Sequence, residues 1–228
     1  MTGCFVTGTD TGVGKTLAAA GLLHALARHH ARVVGMKPVA AGLVPWGEDW
    51  ASEDAIALRA ASTLAVPPAL DNPVLLPDPL SPHIAAARAG VQIDIAAIVR
   101  SYQALAAQAD AVVVEGAGGF LVPLTDTHTG ADLAQALALP VVLVVGLRLG
   151  CLNHALLTVE AIRARGLTLA GWVANRIDPD MEAADENIAY LRARLAAPLL
   201  AELPHQELPD PRSPVSYTHL TLPTIYSV

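Results

Sequence analysis

Lysine is nearly missing from this 228-residue chain, in which Lys15 and Lys37 stand against twelve arginines. Charged residues make up only 15% of it and the formal net charge is −7. No basic stripe is left to bind a nucleic-acid backbone or an anionic membrane surface, so neither partner is expected. Cysteine is also scarce, with Cys4 and Cys151 alone. Two distant thiols make no disulfide framework, and with Cys4 on a strand that opens the fold almost at once they lead us to expect a reducing, cytoplasmic setting. Long apolar runs are lacking too. Hydrophobic residues reach 53% and mean hydropathy +0.45, yet Gly, Pro or charge breaks every run before the roughly 20 residues a membrane helix needs. Buried parallel strands account better for that hydropathy.

What is present is an alternation of apolar strands and helical runs. Strands are predicted at Cys4–Val6, Arg32–Met36, Ala111–Glu115, Val141–Gly146, Gly171–Arg176 and Pro198–Leu203. Helical runs between them cover Leu17–Ala27, Ala55–Ala61, Ile93–Gln108, Asn153–Arg165 and Met181–Leu195, and the prolines from Val66 to Pro82 predict a long ordered loop. This is the pattern of a mostly parallel sheet covered by helices on both faces, built as one domain. We place the domain at residues 1–212. The segment 213–228 is rich in Thr and Tyr where the body is rich in Ala and Arg, and is expected to be foreign to the fold.

Gly8-Thr9-Asp10-Thr11-Gly12-Val13-Gly14-Lys15-Thr16 joins the first strand to the first helix. Glycines at 12 and 14 let successive N–H groups turn inward on a polyphosphate, and the helix beginning near Leu17 adds the positive end of its dipole. Lys15 would reach the β and γ phosphates and Thr16 would offer its hydroxyl to Mg²⁺, which makes the fold P-loop NTPase-like. The loop is one residue longer than the usual pattern counted from Gly8, with Thr9 at the first glycine's place.

Lys37 follows the second strand, at the sheet edge where ligands of open α/β sheets bind. Asp54 reads two ways, as an acid placed against the dipole of the helix that Ser52 opens or as a carboxylate held over Mg²⁺. Glu115 ends a buried strand in the Walker-B manner, and Gly116-Ala117-Gly118-Gly119 behind it lets backbone approach a ligand. Gly150 to Asn153 is a helix start at the same edge, suited to a carboxylate or to its own capping. Asn175, with Arg176 beside it, closes a later strand where an amide can read a purine edge. His83 read alone is a structural histidine.

Together these blocks resemble the dethiobiotin synthetases. The likeness runs through Phe5–Thr11, Val13–Thr16, Lys37–Ala40, Asn72-Pro73, Ser81-Pro82-His83, Val114–Gly119, Leu149–Ala155 and Gly171–Asn175. The resemblance implies a homodimer that turns 7,8-diaminononanoate, CO₂ and ATP into dethiobiotin, ADP and phosphate. It implies catalytic roles for Lys37, Lys15 and Thr11, and nucleotide contacts at Gly12, Val13, Gly14, Lys15, Thr16 and Leu17 and at Gly116, Ala117 and Gly118. Thr16, Asp54 and Glu115 match Mg²⁺ ligands. Asn175 and Arg176 match adenine contacts, together with the segment Pro204-His205-Gln206. Ala41, Gly150, Cys151, Leu152 and Asn153 match the substrate site, the last four reaching it from the neighbouring subunit. Ala41 stands where other members carry a serine, so one hydrogen bond of about 1 kcal/mol is absent or taken over by water. A switch ATPase of the ParA/MinD kind is the rival reading; those proteins carry a second lysine early in the loop, where this chain has Asp10.

Overall fold

Six apolar segments fold into one parallel sheet in the computed structural model of the protein, which describes residues 2–47 and 49–207. The strands are β1 (Thr2–Gly8), β2 (Val33–Met36), β7 (Ala111–Gly119), β8 (Val141–Gly146), β9 (Leu169–Asn175) and β10 (Leu199–Leu203), in the order β10-β9-β8-β1-β7-β2. Short strands lie outside it: β3 (Val39–Ala41) pairs with β6 (Val74–Leu76), and β4 (Val44–Trp46) with β5 (Asp49–Ala51). The helices are α1 (Lys15–Ala27), α2 (Glu53–Ala61), α3 (Pro68–Asp71), α4 (Pro82–Ala89), α5 (Ile95–Ala106), α6 (Gly130–Leu137), α7 (Cys151–Ala164) and α8 (Ala184–Arg194).

Strand periodicity sorts the core into two faces. Val113 of β7 and Val142 and Val144 of β8 pack with Leu22, Leu23 and Leu26 of α1. The alternate residues face the other way. Val112 and Val114 meet α5 and α6 through Ile98, Leu105 and Leu133, while Leu143 and Val145 meet α7 and α8 through Val159 and Leu191. Every residue of β8 is buried, as a strand covered on both faces requires.

β1 lies between β7 and β8, and the chain leaves it toward β2 but later crosses back over it to β8. That reversal opens a crevice at the carboxyl ends of the central strands. The loop after β1, the residue after β2 and Glu115 within β7 all deliver side chains there.

Three local expectations are corrected. The proline-rich stretch 66–82 is not free of regular structure: it holds α3 and β6, and Pro82 starts α4. Pro68 and Pro82 each occupy the first helical position, where a missing N–H costs nothing and φ is already suitable. The sequence predicts a loop over residues 43–49, but Val44–Trp46 and Asp49–Ala51 pair as β4 and β5. β7 runs on past Glu115 to Gly119, with an irregularity opposite Val6 and Gly8 of β1. The segment 213–228 lies outside the described residues. Among those residues no helix is long and apolar enough to cross a membrane.

Candidate active site

The phosphate loop is propped from below. Gly14 is the N-cap of α1 at φ 86°, and a Cβ there would stand 2.1 Å from Asn175 Nδ2. No side chain fits, which is why the position needs glycine. Asn175 is buried at the end of β9, and its amide nitrogen donates to the Val13 carbonyl at 3.0 Å. Asp10 adds a second prop. Its Oδ1 accepts the Thr11 N–H at 2.7 Å, and its Oδ2 is ion-paired with Arg148 beyond β8. Lys15 Nζ donates to the Asp10 carbonyl at 3.0 Å.

Lys37 extends from the end of β2 into the same crevice. Its backbone N–H donates to the Asp71 carbonyl at 2.7 Å, and its own carbonyl accepts from Asn72 Nδ2 at 2.7 Å. Arg59 in turn grips the buried Asp71 carboxylate with two bonds of 2.7 and 2.6 Å. The ammonium, only 4% exposed, donates to Glu115 Oε1 at 2.7 Å and sits 2.7 Å from Asp54 Oδ2. Thr16 Oγ1 joins both acids, at 2.8 Å from Asp54 Oδ1 and 3.0 Å from Glu115 Oε1. Ser52 takes the N-cap position of α2 but its side chain makes no capping bond. Asp54 lies in the first turn of α2, near its positive end, and its carboxylate also reaches Thr16 and Lys37 in the crevice, so one position serves the helix dipole and faces the cleft.

Burial disfavours charge on each member of this cluster, and neighbours decide the outcome. Burial lowers Lys15 to about 8, with the nearby Lys37 charge adding to the effect. Burial works against the Lys37 ammonium as well, but the Glu115 and Asp54 carboxylates outweigh it and hold its pKa above the ordinary lysine value. Asp54 is likewise opposed by burial, yet Lys37 keeps it below the usual carboxylate range. Burial pushes Glu115 up. Its Oε2 is buried and has no hydrogen-bond partner. An unpartnered carboxylate oxygen beside an alcohol and a second carboxylate is an all-oxygen donor set that fits a hard divalent cation such as Mg²⁺.

A cleft of about 750 Å³ joins Thr11, Gly12, Gly14, Lys15 and Thr16 with Lys37, Ala41, Asp54, Glu115, Ala117 and Gly118. Val13 is buried under the loop, Leu17 in the first turn of α1, and Gly116 behind Glu115, its carbonyl 3.3 Å from Lys37 Nζ. Arg176 bonds through its N–H to the Leu203 carbonyl at 3.0 Å, and His205 Nδ1 lies 3.2 Å from the Arg176 carbonyl. The segment 204–206 thus runs beside Asn175 and Arg176. Gly150, Cys151, Leu152 and Asn153 do not line the cleft. Cys151, the first residue of α7, is buried, and Asn153 is exposed. A larger hollow of about 1040 Å³, bounded by α4, the start of α5 and residues 124–128, contains His83 but none of the residues that line the cleft at the Gly-rich loop. The sequence reading missed Arg148, Arg59 and Asp71. Asn72 stood in one of the motif blocks without a role.

A Gly-rich loop on a parallel sheet, with an acid of β7 and the lysine just after β2 at its mouth, defines a P-loop nucleotide-binding α/β protein. Solved structures agree on that fold. A chain of the MinC:MinD cell division protein complex of Aquifex aeolicus superposes with a TM-score of 0.57 at 15% identity, over 91% of this chain and 83% of that one. A ParA family ATPase from Chlorobium tepidum TLS gives 0.53 at 16%, over 90% and 84%. Such identities speak for the fold alone. The AAA domain family model matches residues 2–213. The ATP-dependent dethiobiotin synthetase BioD of Aromatoleum aromaticum is 58% identical over 209 residues, 91% of this chain and 92% of that protein. The chain belongs to the dethiobiotin synthetase family.

Proposed function

We propose that the protein is an ATP-dependent cyclo-ligase that closes the ureido ring of dethiobiotin from 7,8-diaminononanoate, CO₂ and ATP. The observation that carries this reading is the meeting of Lys15, Lys37, Asp54, Glu115 and Thr16 in one cleft, in a chain 58% identical to a dethiobiotin synthetase. One amine of the substrate takes up CO₂ as a carbamate and releases a proton. The carbamate oxygen attacks the γ-phosphorus and ADP leaves, giving a carbamic–phosphoric anhydride. The second amine then attacks the carbamate carbon, phosphate departs and the ring is closed. Each stage gathers negative charge in a confined space, so fixed cations matter more than a strong base.

Lys15 and the N–H groups of Gly12 to Thr16 hold the phosphates, and Leu17 lies in the helix turn behind them. Lys37 meets the carbamate and γ-phosphate oxygens, and Thr11 positions the reacting atoms. Thr16, Asp54 and Glu115 would hold Mg²⁺, which when bound neutralises triphosphate charge. Asn175, Arg176 and residues 204–206 flank the adenine. Ala41 lines the substrate end of the cleft without a hydroxyl to offer.

Gly150 to Asn153 serve the neighbouring subunit of a homodimer, where the α7 N-terminus receives the substrate carboxylate. Two facts support this assignment. Those residues do not reach their own cleft, and Leu149 beside them is 96% exposed, with Leu121 and Leu157 also exposed. A cytoplasmic enzyme is the matching setting.

Phosphate release from ATP is measured with and without the diamine, in bicarbonate and Mg²⁺, while dethiobiotin is followed by mass spectrometry. Release that requires the diamine and equals dethiobiotin mole for mole is expected. Equal release without the diamine and no ureido product would favour the switch-ATPase reading instead.

A further inference from the structure

The Lys37 ammonium stands between the two acids that the proposed function assigns to a metal. It contacts Asp54 Oδ2 at 2.7 Å and Glu115 Oε1 at 2.7 Å. The Thr16 hydroxyl is turned the same way: both atoms it bonds, Asp54 Oδ1 and Glu115 Oε1, are carboxylate oxygens, so Thr16 donates its proton. A metal ligand must instead direct a lone pair at the cation. Two lysines, Lys15 and Lys37, balance two carboxylates here, and Lys37 is the cation touching both acids. Adding a divalent ion without an accompanying anion would force an ammonium and a metal to share the same two carboxylates in a largely buried site. Like charges at contact distance in such surroundings are strongly disfavoured.

We propose that Lys37 is the internal counter-ion of the metal site. In the nucleotide-free protein it occupies the space between Asp54 and Glu115 and keeps divalent cations out. The metal enters with the triphosphate, whose terminal phosphate gives the ammonium a new anion and draws it off the carboxylates, while the Thr16 hydroxyl turns over. The exchange delivers Lys37 to the place where charge develops only when metal and nucleotide are both present. It has a chemical use, since an ammonium already bound to two acids does not attract stray phosphate or carboxylate ligands. The inference rests on reading Thr16, Asp54 and Glu115 as metal ligands.

Mn²⁺ is the probe, its free concentration read by electron paramagnetic resonance with nucleotide-free protein. Lys37→Met is expected to bind Mn²⁺ about tenfold more tightly than the wild type, and Lys37→Arg, which keeps the charge, to stay close to the wild type. A non-hydrolysable ATP analogue should bring the wild type to the affinity of Lys37→Met or beyond. Wild type that binds Mn²⁺ as tightly as Lys37→Met without nucleotide overturns the proposal. Failure of the underlying ligand assignment has a different signature, because Glu115→Gln added to Lys37→Met would then leave Mn²⁺ binding unchanged.

A second measurement needs no variant to carry the result. With only two lysines in the chain, ¹³Cε-lysine labelling gives two NMR resonances, assigned through Lys37→Arg. The Lys37 resonance should ignore Mg²⁺ alone and shift with Mg²⁺ plus the analogue. A shift with Mg²⁺ alone, or none with both, contradicts the exchange.

Discussion

Lys15 and Lys37 are both buried, yet their surroundings drive them in opposite directions. Lys37 has two carboxylates in contact and stays an ammonium. Lys15 has a loop carbonyl and another lysine nearby, and burial brings it down from 10.5 to about 8. A lowered lysine pKa costs the empty protein stability below pH 8, and that cost is relieved as pH rises from 8 toward 10.5, because the folded state has already given up the proton. Nucleotide phosphates bound at Lys15, as proposed, would restore the charged form. Nucleotide binding should therefore take up a proton between those values and weaken with rising pH, with almost no uptake below about pH 7. Titration calorimetry at about pH 9 in buffers of differing ionisation enthalpy measures it, and uptake approaching one proton per nucleotide is expected. An enthalpy independent of buffer would show that Lys15 keeps its proton throughout. Both lysines were legible as strand-end or loop residues. The approach of Lys37 to Glu115, 78 residues away, was not, because nothing local encodes it.

At the scale of elements, the end of β2 is held as firmly as the loop after β1. Asn72 accepts no substrate in this account. Its amide fixes the Lys37 carbonyl, and the Arg59–Asp71 pair fixes the turn before it. Asn72→Ala leaves a buried carbonyl unpaired, which costs about 1–3 kcal/mol of stability. It also loosens the strand end that aims Lys37, and a misplacement of about 1 Å can cost on the order of 100-fold in rate. The expected outcome is a kcat lower by about that factor, with a KM for ATP changed by less than about threefold, since the loop around Lys15 is held by other props. A loss confined to KM would place Asn72 in nucleotide binding instead. The Asn72-Pro73 block was visible in the sequence, but its function depends on a backbone partner 35 residues away. The helix α4 was hidden for a different reason: Pro82 breaks a helix at most positions and starts one here.

The whole molecule divides stability from chemistry along the sheet. Buried apolar strands made the parallel architecture readable, since runs such as Val141–Gly146 admit few other environments. Strand order, the Asp10–Arg148 prop and the short pairs outside the main sheet arise from contacts across the fold and were not readable. The exposed Leu149 at the start of α7 marks the surface proposed to meet a second copy. Leu149→Asp should dissociate the dimer in sedimentation, keep the fold by circular dichroism, and raise the KM for the diamine far more than the KM for ATP. A dimer that persists with unchanged diamine kinetics would remove α7 from the interface.

The central claim is that a carbamate oxygen attacks the γ-phosphate in the cleft holding Lys15 and Lys37. Turnover in ¹⁸O-labelled bicarbonate, with released phosphate analysed by mass spectrometry early enough to limit exchange with water, tests it most directly. One labelled oxygen in each phosphate, formed together with dethiobiotin, is the predicted result. Unlabelled phosphate from equally labelled CO₂ would mean that water attacks the nucleotide, and the account of this site would be wrong.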